Sequence, residues 1–304
     1  IIKTDAEALF NEADTDFSGT GTHANGLFDS PANMTTGTGI ATATAEVANI
    51  AKEMGFTIEK STVTAKTRQL KAEYTMELAQ DLKAVHGLDA ESELANILSG
   101  EILAEINREV IRNIVVTGKE AGLGVKHAFD LVADADGRWA VEKFQSLIFQ
   151  IEQEANTIAT ETRRGKGNFV ICSSNVASAL AAAGGLKFGG AGEVDVDATG
   201  NTFAGTLNGK LKVYVDPYAT TDYATVGYRG PNPYDAGMFY APYVPLTMVR
   251  AVGENSFQPK IAFKTRYGLV ANPITGTVDG VGNANTNPYF RTFRVKNINV
   301  GGQS

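Results

Sequence analysis

The sequence has very few cysteines and histidines, the residues that form disulfide-stabilised folds and many metal sites. Of its 304 residues only Cys172 is a cysteine, which excludes an intramolecular disulfide framework and any zinc or iron–sulfur site made of several cysteines. The three histidines, His23, His86 and His127, occur in no HxH or HExxH motif. We therefore expect neither a metal ion nor any other cofactor.

Long apolar runs and a surplus of basic residues are also missing. No run of about 18 apolar residues occurs, so the sequence predicts no membrane-spanning helix, and the first residues lack the pattern of a signal peptide. The 27 Lys and Arg against 34 Asp and Glu give a formal net charge of −7. Phosphate binding needs a basic surplus on at least one face, so this balance argues against a free-standing nucleic-acid-binding protein. These features predict a soluble protein made in a reducing cytoplasm.

Catalytic motifs are missing too. The sequence contains no GxSxG elbow, no P-loop and no GxGxxG between a strand and a helix. The acidic run 193–197 resembles the start of a calcium loop but places Thr206 where a bidentate Glu is needed, so a solvated loop is favoured. Cys172 ends an apolar strand without a basic neighbour, which is typical of an inert buried thiol. The sequence predicts that the protein is not an enzyme.

Glycine, by contrast, is abundant, with 32 residues. Many lie in the segment Asp16–Thr44, together with Thr, Ala, Asn and Ser, and such a segment buries too little apolar surface to offset its ordering entropy. We interpret it as a loop, with an arm that orders on a partner as the alternative. Apolar residues at helical spacing from Val47 to Met54, followed by Gly55, predict a short helix.

A basic extended segment follows at Phe56–Tyr74, where β-branched and charged residues alternate. Lys60, Lys66 and Arg68 share one parity, so an extended strand places them on one side, and Lys71 adds a fourth positive charge. A solvated face is the ordinary interpretation of such charges. The alternative is an arm that lies across an acidic neighbour, which makes these four residues candidates for contacts between subunits.

Two helices are predicted next. Leu78, Leu82 and Val85 form a short amphipathic helix that stops near Gly87, with His86 at its end. Asp89 then caps a helix that reaches about Val116, roughly 40 Å long at 1.5 Å per residue. Its apolar stripe comprises Leu94, Ile97, Leu98, Ile102, Ile106, Val110 and Ile114. On its solvent side the spacing predicts the pairs Glu105–Arg108 and Glu109–Arg112.

The last predicted long helix runs over Arg138–Arg164, with Gly165 as its cap. Its inward residues are Trp139, Phe144, Leu147, Ile148, Ile151, Ala155 and Ile158. A small helix at Val176–Ala183, capped by Ser174 or Asn175, follows it.

Short strands make up most of the remaining sequence. They are predicted at Phe169–Cys172, Lys210–Val215, Tyr223–Tyr228, Gly237–Tyr240, Pro259–Val270 and Tyr289–Val295. Pro217, Pro231, Pro233, Pro242 and Pro245 argue against long central strands in this region. Because helices and strands mix without a regular βαβ period, the fold class is α+β.

Several long and unusual strings follow one another along the sequence. They are AKTRQLKAEYTMELAQDLKAVHG (65–87), EILAEINREV (101–110), RGKGNF (164–169), VGYRGPN (226–232), FYAPYVPLT (239–247), FQPK (257–260), FKTRYG (263–268) and NPYFR (287–291). Together they resemble, in the same order, the major capsid proteins of T-even-like, contractile-tailed phages, and the resemblance covers about Phe56–Val295. None of the strings lies in residues 1–55, which show no close match to the N-terminal arm or to the insertion domain of that family.

The resemblance implies a Hong Kong 97-like capsid fold. We expect residues 1–55 to be part of an arm or an insertion, 56–74 an extended E-loop strand and 75–137 a P-domain with a long spine helix. Residues 138–250 would form the A-domain, and 251–304 would return to the P-domain and end in a tail. Since the sequence begins at Ile1 without Met, a trimmed or partial chain is expected.

The implied function is that of a structural shell protein. Such proteins form hexamers that tile an icosahedral head around double-stranded DNA without sequence-specific binding, with a vertex protein and, in addition, decoration, scaffold and portal proteins as partners. Some capsids of this fold cross-link Lys to Asn, but no position here matches that pair. Alternatives are the vertex protein of the same phages, a related encapsulating shell, and an enzymatic or ligand-binding α+β protein whose Tyr228–Tyr243 segment lines a pocket.

Overall fold

The computed structural model describes residues 13–24, 35–48, 52–56, 63–121, 128–135, 139–187, 202–254, 257–272 and 282–298. The chain divides into two compact units, Ile1–Ser61 and Thr62–Ser304. None of the helices in these ranges combines the length and apolarity needed to cross a membrane. Within the same ranges, no group of His, Cys, Asp and Glu is placed to hold a metal ion.

The first unit contains little regular structure in its described parts. Isolated bridges join Thr20 to Thr38 and Ala24 to Thr35. The helix α1 covers Thr42–Ala45, while residues 52–56 have no regular secondary structure. The helix predicted over Val47–Met54 is not seen in its described residues: residues 47–48 and 52–54 are not helical, and Val47 is 89% exposed and Met54 72% exposed, while residues 49–51 lie outside the described ranges.

The second unit contains four helices and eleven strands in its described residues. The helices are α2 (Met76–His86), α3 (Ala90–Thr117), α4 (Ala140–Thr162) and α5 (Ser174–Ala182). The strands are β1 (Lys66–Glu73), β2 (Gly118–Glu120), β3 (Ala128–Asp130), β4 (Phe169–Ser173), β5 (Leu186–Lys187), β6 (Thr202–Leu207), β7 (Leu211–Asp216), β8 (Tyr223–Gly227), β9 (Met238–Val252), β10 (Pro259–Ala271) and β11 (Asn287–Lys296). This mixture confirms the α+β class.

A three-stranded antiparallel sheet in the order β1-β10-β9 packs against α3. Leu98 and Ile102 of the helix are buried against Ile261 and Phe263 of β10. The helix predicted from the Asp89 cap to about Val116 is confirmed by α3 to within a residue at each end. Ile97, placed in its apolar stripe, is wrong as a core residue, because it is 66% exposed on a side of the helix that the sheet does not cover.

Strand β9 is much longer than the prolines suggested. It runs for 15 residues through Pro242 and Pro245 and forms one edge of its sheet in the described residues. Proline has no amide hydrogen to donate, so it is tolerated where one side of a strand pairs with nothing. The register with β10 also shifts twice, between Lys264 and Tyr267, opposite these prolines. The strand predicted at Gly237–Tyr240 is therefore too short, whereas the expectation that these prolines lie in no long central strand is met, because β9 is an edge strand.

The second sheet contains eight strands, in the order β2-β11-β8-β4-β7-β6-β5, with β3 also paired to β11. Helices α4 and α5 pack on it and bury the main core. Leu147, Ile151, Ala155 and Ile158 of α4 are completely buried, as their spacing predicted.

Helix ends differ from the predictions at three places. Trp139 precedes α4 and is 72% exposed rather than inward. Arg163, with a φ of 52°, occupies the left-handed position after α4, where Gly165 was expected. The cap of α5 is Ser173, whose hydroxyl accepts from the Val176 amide at 3.5 Å. The end of α2 is as predicted, since Gly87 has a φ of 68°.

Candidate assembly surface

Strand β1 carries three of the four basic residues that were predicted to contact a neighbouring subunit. Lys60 lies outside the described residues. Lys66 and Arg68 share one face of β1, as their parity predicted, and Lys71 lies on the other. The register pairs Arg68 with Thr265 and Lys66 with Tyr267 of β10. Thr265 and Tyr267 are buried and lie on the same face of β10 as Ile261 and Phe263, which pack against α3. Lys66 and Arg68 therefore lie on the helix side of the sheet.

Arg68 is the centre of an ion-pair network within its own chain. Its guanidinium bonds to Glu105 and donates to Glu109 Oε2 at 2.7 Å, both on α3, and to the Tyr267 hydroxyl at 2.5 Å. Tyr267 in turn donates to Glu109. Burial opposes the charge on Arg68, but the bonds to Glu109 and Tyr267 outweigh it and raise the pKa of the guanidinium. Burial, with the bond to Glu109, raises the pKa of Tyr267 to about 12. These hydrogen bonds connect β1 to α3.

Replacing Arg68 with Ala should therefore weaken the isolated chain itself. We expect a loss of about 1–2 kcal/mol in the free energy of unfolding, a modest value because Arg68 and Glu109 are each 29% exposed and Glu105 is 55% exposed. Urea denaturation of the monomeric chain measures it. Arg68→Lys serves as the control and should recover only part of the loss, since Lys lacks the planar fork. An unchanged urea midpoint for Arg68→Ala would contradict this role.

Arg108 makes a different ion pair from the one that its helical spacing predicted. It donates to both oxygens of Asp216, at 2.8 and 2.7 Å, rather than to Glu105. The predicted Glu105–Arg108 pair is wrong because Arg68 engages Glu105 and a buried carboxylate is a stronger partner than an exposed one. This pair ties α3 to the end of β7.

The side of the three-stranded sheet that faces away from α3 is rich in basic residues. Lys71, Lys260, Lys264 and Arg266 lie there, and we call this the outer sheet face. Its carboxylate, Glu73, pairs with Lys260 at 2.9 Å and with Lys71 at 3.2 Å. These two hydrogen bonds lower the pKa of Glu73. Of the three predicted contact residues that the structure describes, only Lys71 lies on this face.

A cavity of about 710 Å³ lies between α3 and the large sheet. Its lining is mainly apolar, with Val110, Ile111, Phe169 and Tyr214 among the contributors. The Tyr228–Tyr243 segment, predicted as a pocket lining in the ligand-binding hypothesis, contributes Arg229 only.

Tyr228 instead belongs to a buried cluster around Asp235. Tyr228 and Tyr289 donate their hydroxyls to this carboxylate at 3.2 and 3.0 Å, and their rings stack 6.2 Å apart. Burial, with the bond to Asp235, raises the pKa of Tyr289 to about 12. Cys172 is also inert, because burial raises the pKa of its thiol to about 12. No nucleophile and base are paired among these groups.

A second buried network joins α4 to β11. Gln150 donates to Glu154 at 2.8 Å, and Arg291 lies 3.9 Å from Glu154 while also pairing with Glu161. Burial raises the pKa of the Glu154 carboxyl, and Arg291 and Gln150 oppose that rise only in part.

Glu154→Gln should therefore stabilise the fold increasingly as the pH rises. A folded-state pKa above the unfolded value means that folding is favoured while Glu154 is protonated, and that this contribution is lost as the pH rises through the folded pKa. The melting-temperature difference between Glu154→Gln and wild type should thus be smallest near pH 4 and grow towards pH 7. The exposed Asp81→Asn, in the middle of α2, is the charge-matched control and should show no such trend. A difference that is constant with pH would contradict the buried-carboxylate interpretation.

Comparison with known proteins decides the family of this chain. A model of the family described as "Major capsid protein Gp23" matches residues 2–295. The chain belongs to the Gp23 major capsid protein family. The match begins at residue 2, so the expectation that residues 1–55 lie outside the resemblance is wrong. As a capsid protein of a phage head, it is a structural protein rather than an enzyme.

Several relatives of this capsid protein agree with the assignment. It is 43% identical to the major capsid protein of Salmonella phage ViI, over 96% of this chain and 73% of the relative. It is 45% identical to the major capsid protein of Enterobacteria phage T4, over 81% of this chain, and 32% identical to the capsid vertex protein of the same phage, over 74%. It spans 52% and 54% of the lengths of those two T4 proteins.

Among solved structures, the capsid of Myoviridae phage XM1 aligns with 77% of this chain and 74% of that one. Its TM-score is 0.46 and its sequence identity 11%.

Proposed function

We propose that this capsid protein assembles into hexameric capsomers that tile the icosahedral head around double-stranded DNA. The observation that carries the proposal is the family match over residues 2–295. The chain's own chemistry is compatible with it, since its net charge of −7 opposes tight adsorption of the enclosed DNA. We further propose that it is made in the host cytoplasm and binds no membrane.

The proposed domain plan follows the Hong Kong 97-like scheme. Residues 1–55 would be an arm or an insertion, 56–74 the E-loop strand, 75–137 the P-domain, 138–250 the A-domain, and 251–304 the return to the P-domain and the tail. In support, α3 lies in the proposed P-domain segment 75–137 and packs against β10, which lies in the returning segment 251–304. Helix α4 and strands β4 to β8 all lie in the proposed A-domain segment.

The proposed partners are further copies of the chain and the vertex capsid protein, and in addition decoration, scaffold and portal proteins. Lys60, Lys66, Arg68 and Lys71 stay predicted as contact residues. Because Arg68 is engaged by its own long helix, we expect its contribution to assembly to be indirect, through the position of β1.

Light scattering combined with negative-stain microscopy tests the proposal. Sixfold rings or closed shells are the expected result. Fivefold rings would favour the alternative of a vertex protein, which the 32% identity to the T4 capsid vertex protein supports less strongly than the 45% identity to the major one. A chain that stays monomeric at all concentrations would overturn the proposal.

A further inference from the structure

The outer sheet face concentrates positive charge on a chain whose net charge is negative. Lys71, Lys260, Lys264 and Arg266 project from two adjacent strands, and among the described residues of the three strands only Glu73 places a negative charge on this face. Lys71 and Lys260 share Glu73, while Lys264 and Arg266 pair with no carboxylate among the residues that the structure describes. The face therefore carries about three uncompensated positive charges, on a chain of net charge −7.

The centre of this face is small and apolar. Ala262 lies between Lys260 and Lys264 on β10, and its cross-strand neighbour Val249 on β9 is 54% exposed. Residues four apart on an antiparallel strand are separated by about 14 Å, so the two lysines flank a shallow apolar centre of that length.

Helix α3 presents a stripe of matching size and opposite charge. Glu93, Ile97 and Glu101 follow one another at four-residue spacing along one side of the helix. All three are exposed, Ile97 to 66%, and neither glutamate has an ion-pair partner in the described part of the chain. Eight residues of helix span about 12 Å, so two carboxylates flank an apolar side chain at nearly the spacing of the two lysines.

We infer that the outer sheet face binds the Glu93–Ile97–Glu101 stripe of a second copy of this chain. Lys260 and Lys264 would meet the two carboxylates, and Ile97 would cover Ala262 and Val249. The inference rests on the proposed self-assembly and names one contact of it. The two surfaces are different patches of one chain, so the contact is head-to-tail and can close into a ring. The exposed apolar centre favours this partner over DNA, whose phosphates offer charge alone.

Charge reversal tests the contact. Lys264→Glu and Glu101→Lys should each raise the protein concentration needed for half-assembly at least about tenfold, because each places like charges together at the contact. Their melting temperatures should stay close to wild type, since both side chains are exposed. The matched control is Lys187→Glu, an equal charge change on an exposed residue of β5, which should assemble as wild type.

Complementation makes the test specific. A mixture of the two single variants should assemble again, to within about threefold of wild type, because each sheet face then meets a helix stripe of opposite charge. The double variant Lys264→Glu/Glu101→Lys should recover likewise.

Failures of the contact and of self-assembly give different results. If wild type assembles and Lys264→Glu assembles equally well, or if the mixture is not rescued, the contact is overturned while the proposed function stands. Loss of double-stranded DNA retention by Lys264→Glu shells with unchanged assembly would assign the face to DNA and overturn it too. A wild-type chain that never assembles overturns both.

Discussion

Asp216→Ala should destabilise the chain by about 3 kcal/mol in the free energy of unfolding. Asp216 ends β7 with only 1% of its surface exposed, and its carboxylate accepts two bonds from Arg108 of α3. It also accepts from the Tyr223 hydroxyl at 2.7 Å and from the Tyr218 amide at 3.0 Å. Removing one member of a buried ion pair costs roughly 3–5 kcal/mol, and the lower end applies because Arg108 is 34% exposed.

Asp216→Ala should also weaken interactions outside the ion pair with Arg108. Burial, with the bond to Asp216, raises the pKa of Tyr223, so this hydroxyl stays protonated and loses its acceptor in the variant. An unpaired buried hydroxyl carries a desolvation penalty of its own. Since the carboxylate joins α3 to the large sheet, hydrogen exchange should also increase in β7 and β8 relative to α4.

Urea denaturation of the monomeric chain measures the loss. Asp216→Asn is the matched control: it keeps the shape and one acceptor but not the charge, and we expect it to lose about half as much. A loss below about 1 kcal/mol for Asp216→Ala would mean that water replaces the carboxylate at no cost and would contradict a structural role for this pair.

This pair also shows what could not be predicted from the sequence. The boundaries of α3 follow from local signals, an apolar stripe and an acidic first turn, and they agree with the structure. The partner of Arg108 does not follow from local signals, because Asp216 lies 108 residues away. Helical spacing pointed instead to Glu105. Local patterns identify elements, whereas the strongest partners of a charged side chain are set by tertiary packing.

The candidate surface was predictable in part for the same reason. The parity of Lys66 and Arg68 correctly placed both on one side of β1. Which side meets a helix depends on β10, whose Tyr267 is 199 residues beyond Arg68. Neither face of β1 is wholly apolar: Leu70 and Ala72 share a face with Lys66 and Arg68, so the strand itself gives only a weak signal for the buried side. The basic residues of the outer sheet face were missed because most belong to β10, and only pairing with β1 brings Lys71 beside them.

Gly227→Ala should lose roughly 2–3 kcal/mol, although it adds a single methyl group. Gly227 ends β8 and pairs directly with Phe169 of β4. A Cβ placed on Gly227 would overlap the Phe169 ring, with two ring carbons at 2.7 Å. The backbone of Gly227 is not in the left-handed region, so the cost is steric overlap, which is typically 1–3 kcal/mol in a packed core. The close approach of the Phe169 ring thus explains why the first glycine of the VGYRGPN string, Gly227, has no room for a side chain.

A double-mutant cycle separates this overlap from a general weakness of glycine substitution. Phe169→Leu alone should cost about 1 kcal/mol, since the ring packs edge-on against Phe290 with centroids 6.2 Å apart. In the double variant Gly227→Ala/Phe169→Leu the smaller side chain leaves room for the new methyl group, so the total loss should be smaller than that of Gly227→Ala alone. Additive losses in urea denaturation would show that Ala at position 227 is disfavoured for a reason other than contact with Phe169, because only a shared overlap makes the second substitution relieve the first.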